Sequence, residues 1–130
     1  MPESRRITIT SQAKASGFDA VGFCAADLPL EIGQNLHEFL GKNYHGDMGW
    51  MAEKVGWRSN PKALWAEAKS VIMLGHNYAP SANPLGKLEQ KTIGNISCYA
   101  QNQDYHDVIK KKLKQLAGWL AQEYSCEVKV

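Results

Sequence analysis

Along 104–124 the apolar residues Val108, Ile109, Leu113, Leu116, Ala117 and Leu120 recur at three- and four-residue spacing, while Lys110, Lys111 and Lys114 fall off that stripe. This period predicts an amphipathic helix. Asp104 precedes it as an N-cap, and Asp107 adds an acidic side chain in the first turn. Residues 4–16 predict another helix, capped at its end by Gly17, which tolerates left-handed backbone angles. Segment 30–40 carries Leu30, Leu36, Phe39 and Leu40 near helical spacing; Gly33 weakens the pattern and Gly41 ends it. Two short apolar segments predict strands. The first is 19–25 (D-A-V-G-F-C-A), read as buried. The second, 70–78 (S-V-I-M-L-G-H-N-Y), begins with a continuous apolar run, which predicts a central strand covered on both faces.

Between these, 45–57 contains G-D-M-G-W-M and predicts a short helix in a tight connection. Pro61 biases Asn60 away from helical angles and starts a helical turn or two over 62–68. Segment 79–96, with two prolines, two glycines and two asparagines, predicts a long irregular loop, of a kind usually functional or mobile. Residues 127–130 read as a strand just beginning, which suggests that the chain is part of a longer protein. The resulting order, α-β-α-α-β-loop-α-β, predicts an α/β or α+β fold with helices covering a small mixed sheet. Strand order does not follow from it.

The 130 residues suit one domain of ordinary soluble composition, 44% hydrophobic and 22% charged. A net charge of +2 leaves no strong nucleic-acid footprint, so an RNA substrate would need most of its phosphate contacts from elsewhere. Arg5-Arg6 is followed by no apolar leader, and the longest apolar run, 71–74, is far too short to span a bilayer. These features predict a cytoplasmic protein with no membrane partner. Cys24, Cys98 and Cys126 are odd in number and form no C-x-x-C pair, which argues against a disulfide framework or a four-cysteine metal site. His37, His45, His76 and His106 lack metal-site spacing, and no phosphate-binding glycine loop or nucleophile elbow is present.

Two places could carry chemistry. One is C-Y-A-Q-N-Q-D-Y-H, from Cys98 to His106, which ends the irregular loop at the start of the strongest helix. Free N–H groups and the helix dipole there attract polar or anionic groups. The plainer reading makes Asp104 a cap, Tyr105 and His106 first-turn residues and Cys98 a small buried hydrophobe. The other is Trp57-Arg58, where a guanidinium could offer a fork of donors to carboxylate, amide or phosphate. Its plainer reading is an arginine stacked on a tryptophan or paired with Glu53 or Glu67. The run Lys110-Lys111-Lys112 reads as a solvated face in preference to an RNA site.

Four segments together resemble the epoxyqueuosine reductase family: G-F-D-A-V-G-F from Gly17; H-G-D-M-G-W-M from His45 with R-S-N-P from Arg58; A-K-S-V-I-M-L-G-H-N-Y from Ala68; and Y-A-Q-N-Q-D-Y-H from Tyr99. They fall in the family's order along nearly the whole chain. Asn102 stands where the family usually has glycine, and Asn60 where it often has aspartate; asparagine tolerates positive φ better than most residues.

The resemblance implies an oxidoreductase that reduces the epoxide of epoxyqueuosine in tRNA to queuosine, using base-off cobalamin and two 4Fe-4S clusters. It implies a cobalamin-binding part like that of reductive dehalogenases, distantly similar to nitroreductases. Residues 1–130 would be the amino-terminal part of that domain, with ferredoxin-type and helical-repeat domains downstream. The family's arginine and cysteine near the corrin fall on Arg58 and Cys98, and its polar motif near that site on Asp104, Tyr105 and His106. The proposed proton donor, an aspartate, would lie just beyond Val130, so the chain alone is expected to be inactive and to hold neither catalytic residue nor cluster ligands. Two other readings stay open: a flavin-binding, nitroreductase-like domain, and a non-catalytic interaction module.

Overall fold

The computed structural model describes all residues, Met1–Val130, and shows an α+β chain: α1 (Glu3–Ala15), β1 (Ala20–Ala25), α2 (Leu30–Gly41), α3 (Val55–Ser59), α4 (Pro61–Leu64), β2 (Ser70–Gly75) and α5 (Tyr105–Tyr124). Short 3-10 turns lie at Gly49–Met51, Pro84–Lys87 and Cys98–Ala100. The sheet contains two antiparallel strands, β1 and β2, and is not mixed. Register is fixed by Asp19 N donating to Gly75 O (2.9 Å) at one end and Ala26 N to Lys69 O (3.2 Å) at the other.

With one partner each, both strands are edges. The expectation that β2 is central and doubly covered therefore fails: its residues are exposed or half-buried, and Met73 is 63% exposed. Residues 127–130 form no strand either. An extended segment is held by a neighbour's backbone groups, and β1 and β2 pair only with each other. The helical turn expected over 62–68 stops at Leu64, because Trp65 is extended (φ −148°, ψ 102°). Its start is as expected, with Pro61 at the first position and Asn60 Oδ1 accepting from Lys62 N at 2.9 Å.

The chain divides into two units, Met1–Val21 with Met73–Val130, and Gly22–Ile72. In the first, α1 and α5 supply the core: Ile9, Ala13, Phe18, Leu116 and Leu120 are buried. Helix α1 ends in paired backbone bonds, Gly17 N to Lys14 O (2.9 Å) and Phe18 N to Ala13 O (3.1 Å). This closure needs a left-handed residue, and Gly17 has φ +85°. It turns Phe18 inward to cover the apolar face of the helices. In the second unit, only Ala26 and Ala68 are buried. There Gly33 lets α2 approach α3, since a Cβ on it would lie 3.3 Å from Ser59 Cβ. The residue that weakened the helix in the sequence pattern is thus what permits its packing.

Candidate functional site

The start of α5 follows from local chemistry. Asp104 is extended (φ −59°, ψ 118°) and its Oδ1 accepts from His106 N at 2.8 Å, the bond expected of an N-cap. The same oxygen lies 2.8 Å from His106 Nδ1. A carboxylate only accepts, so Nδ1 carries the hydrogen and Nε2 is the ring nitrogen left to other partners. The backbone bond from His106, then its side-chain bond and charge, hold the Asp104 carboxyl below its ordinary value of 3.8; slight desolvation works the other way. Tyr105 stacks on the His106 ring, centroids 4.1 Å apart and planes 27° from parallel. Both rings are exposed, His106 with 71% of its side chain in solvent.

The turn leading to this pair is built by Asn102 at φ +66° and by Gln101 Nε2 donating to Ile96 O (2.9 Å). Asparagine does adopt here the left-handed angle that glycine would take without strain. Just before it, the Cys98–Ala100 turn holds Cys98 as a half-buried free thiol and leaves Tyr99 exposed.

Arg58 belongs to the other unit, at the end of α3. Its Nη2 donates to Trp50 O (3.0 Å), its Nε to Glu53 O (3.3 Å), and its guanidinium lies 4.8 Å from the Trp50 ring centroid. Stacking on tryptophan was one expected arrangement; the partner at Glu53 is the backbone carbonyl and not the carboxylate. Lys54, at φ +52°, reverses the chain into α3 and sets its Nζ 4.7 Å from the Trp57 ring. Both tryptophans keep about half their surface in solvent (54% and 48%). Preceding them, His45 has a buried Nδ1 with no hydrogen-bond partner.

The structure thus gathers Asp104, Tyr105 and His106 into one stacked, hydrogen-bonded cluster, with Cys98 in the adjoining turn. Arg58 forms a separate aromatic-backed group in its own unit. Two features carry no signal in the sequence. His45 has a buried, unpartnered Nδ1 that nothing in its segment announces. Lys112 looks like its neighbours in the basic run, yet its Nζ donates to Gly17 O (2.9 Å) and sits 5.9 Å from the Phe18 ring. Nothing local signals that bond, because its acceptor is 95 residues away. No group of three or more His, Cys, Asp or Glu side chains is placed to hold a metal ion, and no helix is long and apolar enough to cross a membrane.

Each of these two groups, taken by itself, sets exposed aromatic rings beside an oriented polar side chain, a combination suited to ligand contact. Comparison with known proteins narrows the class. The family model described as epoxyqueuosine reductase QueG, DUF1730, matches residues 58–130, more than half of the chain, and the chain belongs to that family. It is 44% identical to an epoxyqueuosine reductase of Leadbetterella byssophila over 115 residues, 88% of this chain and 36% of that protein. It is 34% identical to the Yersinia pestis protein of that name, over 92% of the chain and 29% of the relative. For the Escherichia coli K12 protein of that name the identity is 36%, over 82% of the chain and 28% of the relative. The chain therefore spans about a third of the length of these curated relatives. No solved structure matches it.

Proposed function

We propose that this chain is the amino-terminal part of the cobalamin-binding domain of a cytoplasmic oxidoreductase that converts epoxyqueuosine in tRNA to queuosine. The observation that carries the reading is the reach of the family match: 58–130 encloses Arg58, Cys98, Asp104, Tyr105 and His106 together. In this reading, ferredoxin-type and helical-repeat domains follow, with the 4Fe-4S clusters, most tRNA contacts and the proton-donating aspartate. The cobalamin-binding part would share the architecture of reductive dehalogenases.

The residues present fit such a cofactor. A corrin offers a broad ring with apolar edges and many amide arms, and asks for aromatic faces and scattered donors and acceptors. Arg58 lies beside the exposed Trp50 ring and keeps N–H groups beyond its two backbone bonds for a ligand arm. Taken by itself, segment 98–106 presents the exposed rings of Tyr99 and Tyr105, the half-buried Cys98 thiol and His106 Nε2. When bound, cobalamin supplies the electron-rich metal centre that reductive chemistry needs. Arg58 would donate to the carbonyl of an amide arm from a guanidinium already oriented by Trp50. His106 would accept or hold a proton at Nε2, with Asp104 fixing its tautomer.

The test is the visible absorption spectrum of the full-length protein, purified without oxygen and supplied with cobalamin, beside its Cys98→Ala and Arg58→Ala variants. A base-off cobalamin spectrum over iron–sulfur absorption, weakened by either variant, is expected. Full-length protein that takes up neither chromophore overturns the reading, and a yellow flavin spectrum would replace it with the nitroreductase-like one.

A further inference from the structure

We infer that the outward face of α5, formed by Lys110, Lys111, Lys114 and Gly118, is a docking face for the phosphate backbone of the RNA substrate. The inference rests on the proposed reading of the chain as part of a tRNA-modifying enzyme, and it assigns to that enzyme a contact outside the cofactor site.

Lys110, Lys111 and Lys112 look alike in sequence, and the structure separates them. Lys112 is half-buried and committed to Gly17 O and the Phe18 ring. Lys110, Lys111 and Lys114 are exposed and take part in no ion pair. At about 100° per residue these three span roughly 100° of the helix, on the side opposite the buried Leu116 and Leu120. One acid, Asp107, shares that face. Charge in the chain is also unevenly placed. The unit containing α5 has ten basic and seven acidic side chains, against five and six in the other. A near-neutral total hides this local excess.

Gly118 is the second observation. It lies one turn beyond Lys114 on the same face, in the middle of a helix, where glycine costs stability relative to alanine. Its φ is not positive and a Cβ there would meet nothing within 4 Å, so neither backbone angle nor internal packing requires glycine. A bare helix surface does allow another molecule's backbone to approach closely. Lys110, Lys114 and Gly118 are each about 6 Å apart along the axis, giving a strip of roughly 12 Å with cations along it. Mobile ammonium groups on such a strip suit phosphates, which they meet as point charges. The strip begins within two turns of the Asp104–His106 pair, on the same helix.

The experiment is equilibrium binding of substrate tRNA to the cobalamin-loaded full-length protein as a function of salt. It compares wild type with the triple variant Lys110→Gln/Lys111→Gln/Lys114→Gln, and with Lys112→Gln. Loss of three phosphate contacts should lower the slope of log affinity against log salt by about 2 to 3 and weaken binding at least tenfold. The cobalamin spectrum of the triple variant should be unchanged, and Lys112→Gln should lower Tm without changing the slope. An unchanged slope and affinity in the triple variant, with wild type binding both tRNA and cobalamin, overturns the face and spares the reading beneath it. Wild type that binds no tRNA overturns both. If the triple variant instead loses binding to phosphatidylglycerol vesicles and keeps its tRNA slope, the face serves a membrane surface and the inference is wrong.

Discussion

One oxygen of Asp104 receives both the backbone N–H and the imidazole Nδ1–H of His106, each at 2.8 Å. The bond that starts α5 thereby also fixes the tautomer of an exposed imidazole. Capping and positioning cannot be separated by removing the aspartate, but they can be separated chemically. Asp104→Ser keeps a side-chain oxygen for the backbone bond and removes the charge that orients the ring. It should hold Tm close to wild type and change the His106 ring tautomer seen in the 15N NMR signals of its imidazole, whereas Asp104→Ala should change both. Equal effects of the two variants on Tm would show that the helix needs the imidazole contact as well.

The same carboxyl gives a pH dependence with a defined sign. Its folded-state value lies below 3.8, chiefly because of the backbone bond from His106. A lowered acid contributes stability that is complete above its unfolded value and is lost as pH falls through the folded one. The stability difference between wild type and Asp104→Ala should therefore be constant from neutral pH down to about 5 and shrink below 3.8. Chemical denaturation at a series of pH values reads this directly. A difference that grows on acidification would contradict it.

Two glycines with positive φ should respond differently to alanine. At Gly17 (φ +85°) a Cβ would sit 2.8 Å from Lys112 Nζ, whereas at Gly46 (φ +53°) it would meet nothing within 4 Å. Both substitutions carry the left-handed cost of about 1–2 kcal/mol. Gly17→Ala additionally displaces Lys112 from its carbonyl, so it should be the worse by roughly 1 kcal/mol. Urea midpoints of the two variants provide the comparison.

At Asn102 (φ +66°), glycine should relieve strain and raise stability by up to about 1 kcal/mol, without changing cobalamin uptake. A loss of stability in Asn102→Gly would mean that the asparagine side chain does something the backbone angle does not reveal.

The core between α1 and α5 makes the largest stability prediction. Ile9 is 2% exposed and Leu116 equally so. Truncation of either to alanine should cost about 2–4 kcal/mol, several times more than any of the surface changes above. Thermal or urea unfolding measures it.

What was legible in the sequence was local. Helix α5, its Asp104 cap, the Gly17 terminator and the Asn60-Pro61 start all depend on residues within a turn or two of one another. The left-handed turn at Asn102 was expected only from the resemblance, which places a glycine there. Properties set by distant partners were not legible. An apolar run such as 71–74 reads identically in a central strand and in an edge strand, and which it becomes depends on neighbours that periodicity does not name. Segment 127–130 has strand composition and yet forms no strand. Among the candidate site residues, the Asp104 cap was legible from its position before the helix, but its second bond, to the His106 ring, was not. The separation of Lys112 from Lys110, Lys111 and Lys114 required the fold to bring Gly17 to it.

The proposed place of this chain in an epoxyqueuosine-reducing enzyme is tested on the tRNA product. Full-length protein, loaded with cobalamin and clusters and given a low-potential reductant, would be incubated with epoxyqueuosine-containing tRNA, and the nucleosides analysed by mass spectrometry. Queuosine should form at the expense of epoxyqueuosine, with strongly reduced conversion in Arg58→Ala. Unchanged epoxyqueuosine from protein that carries both chromophores would contradict it.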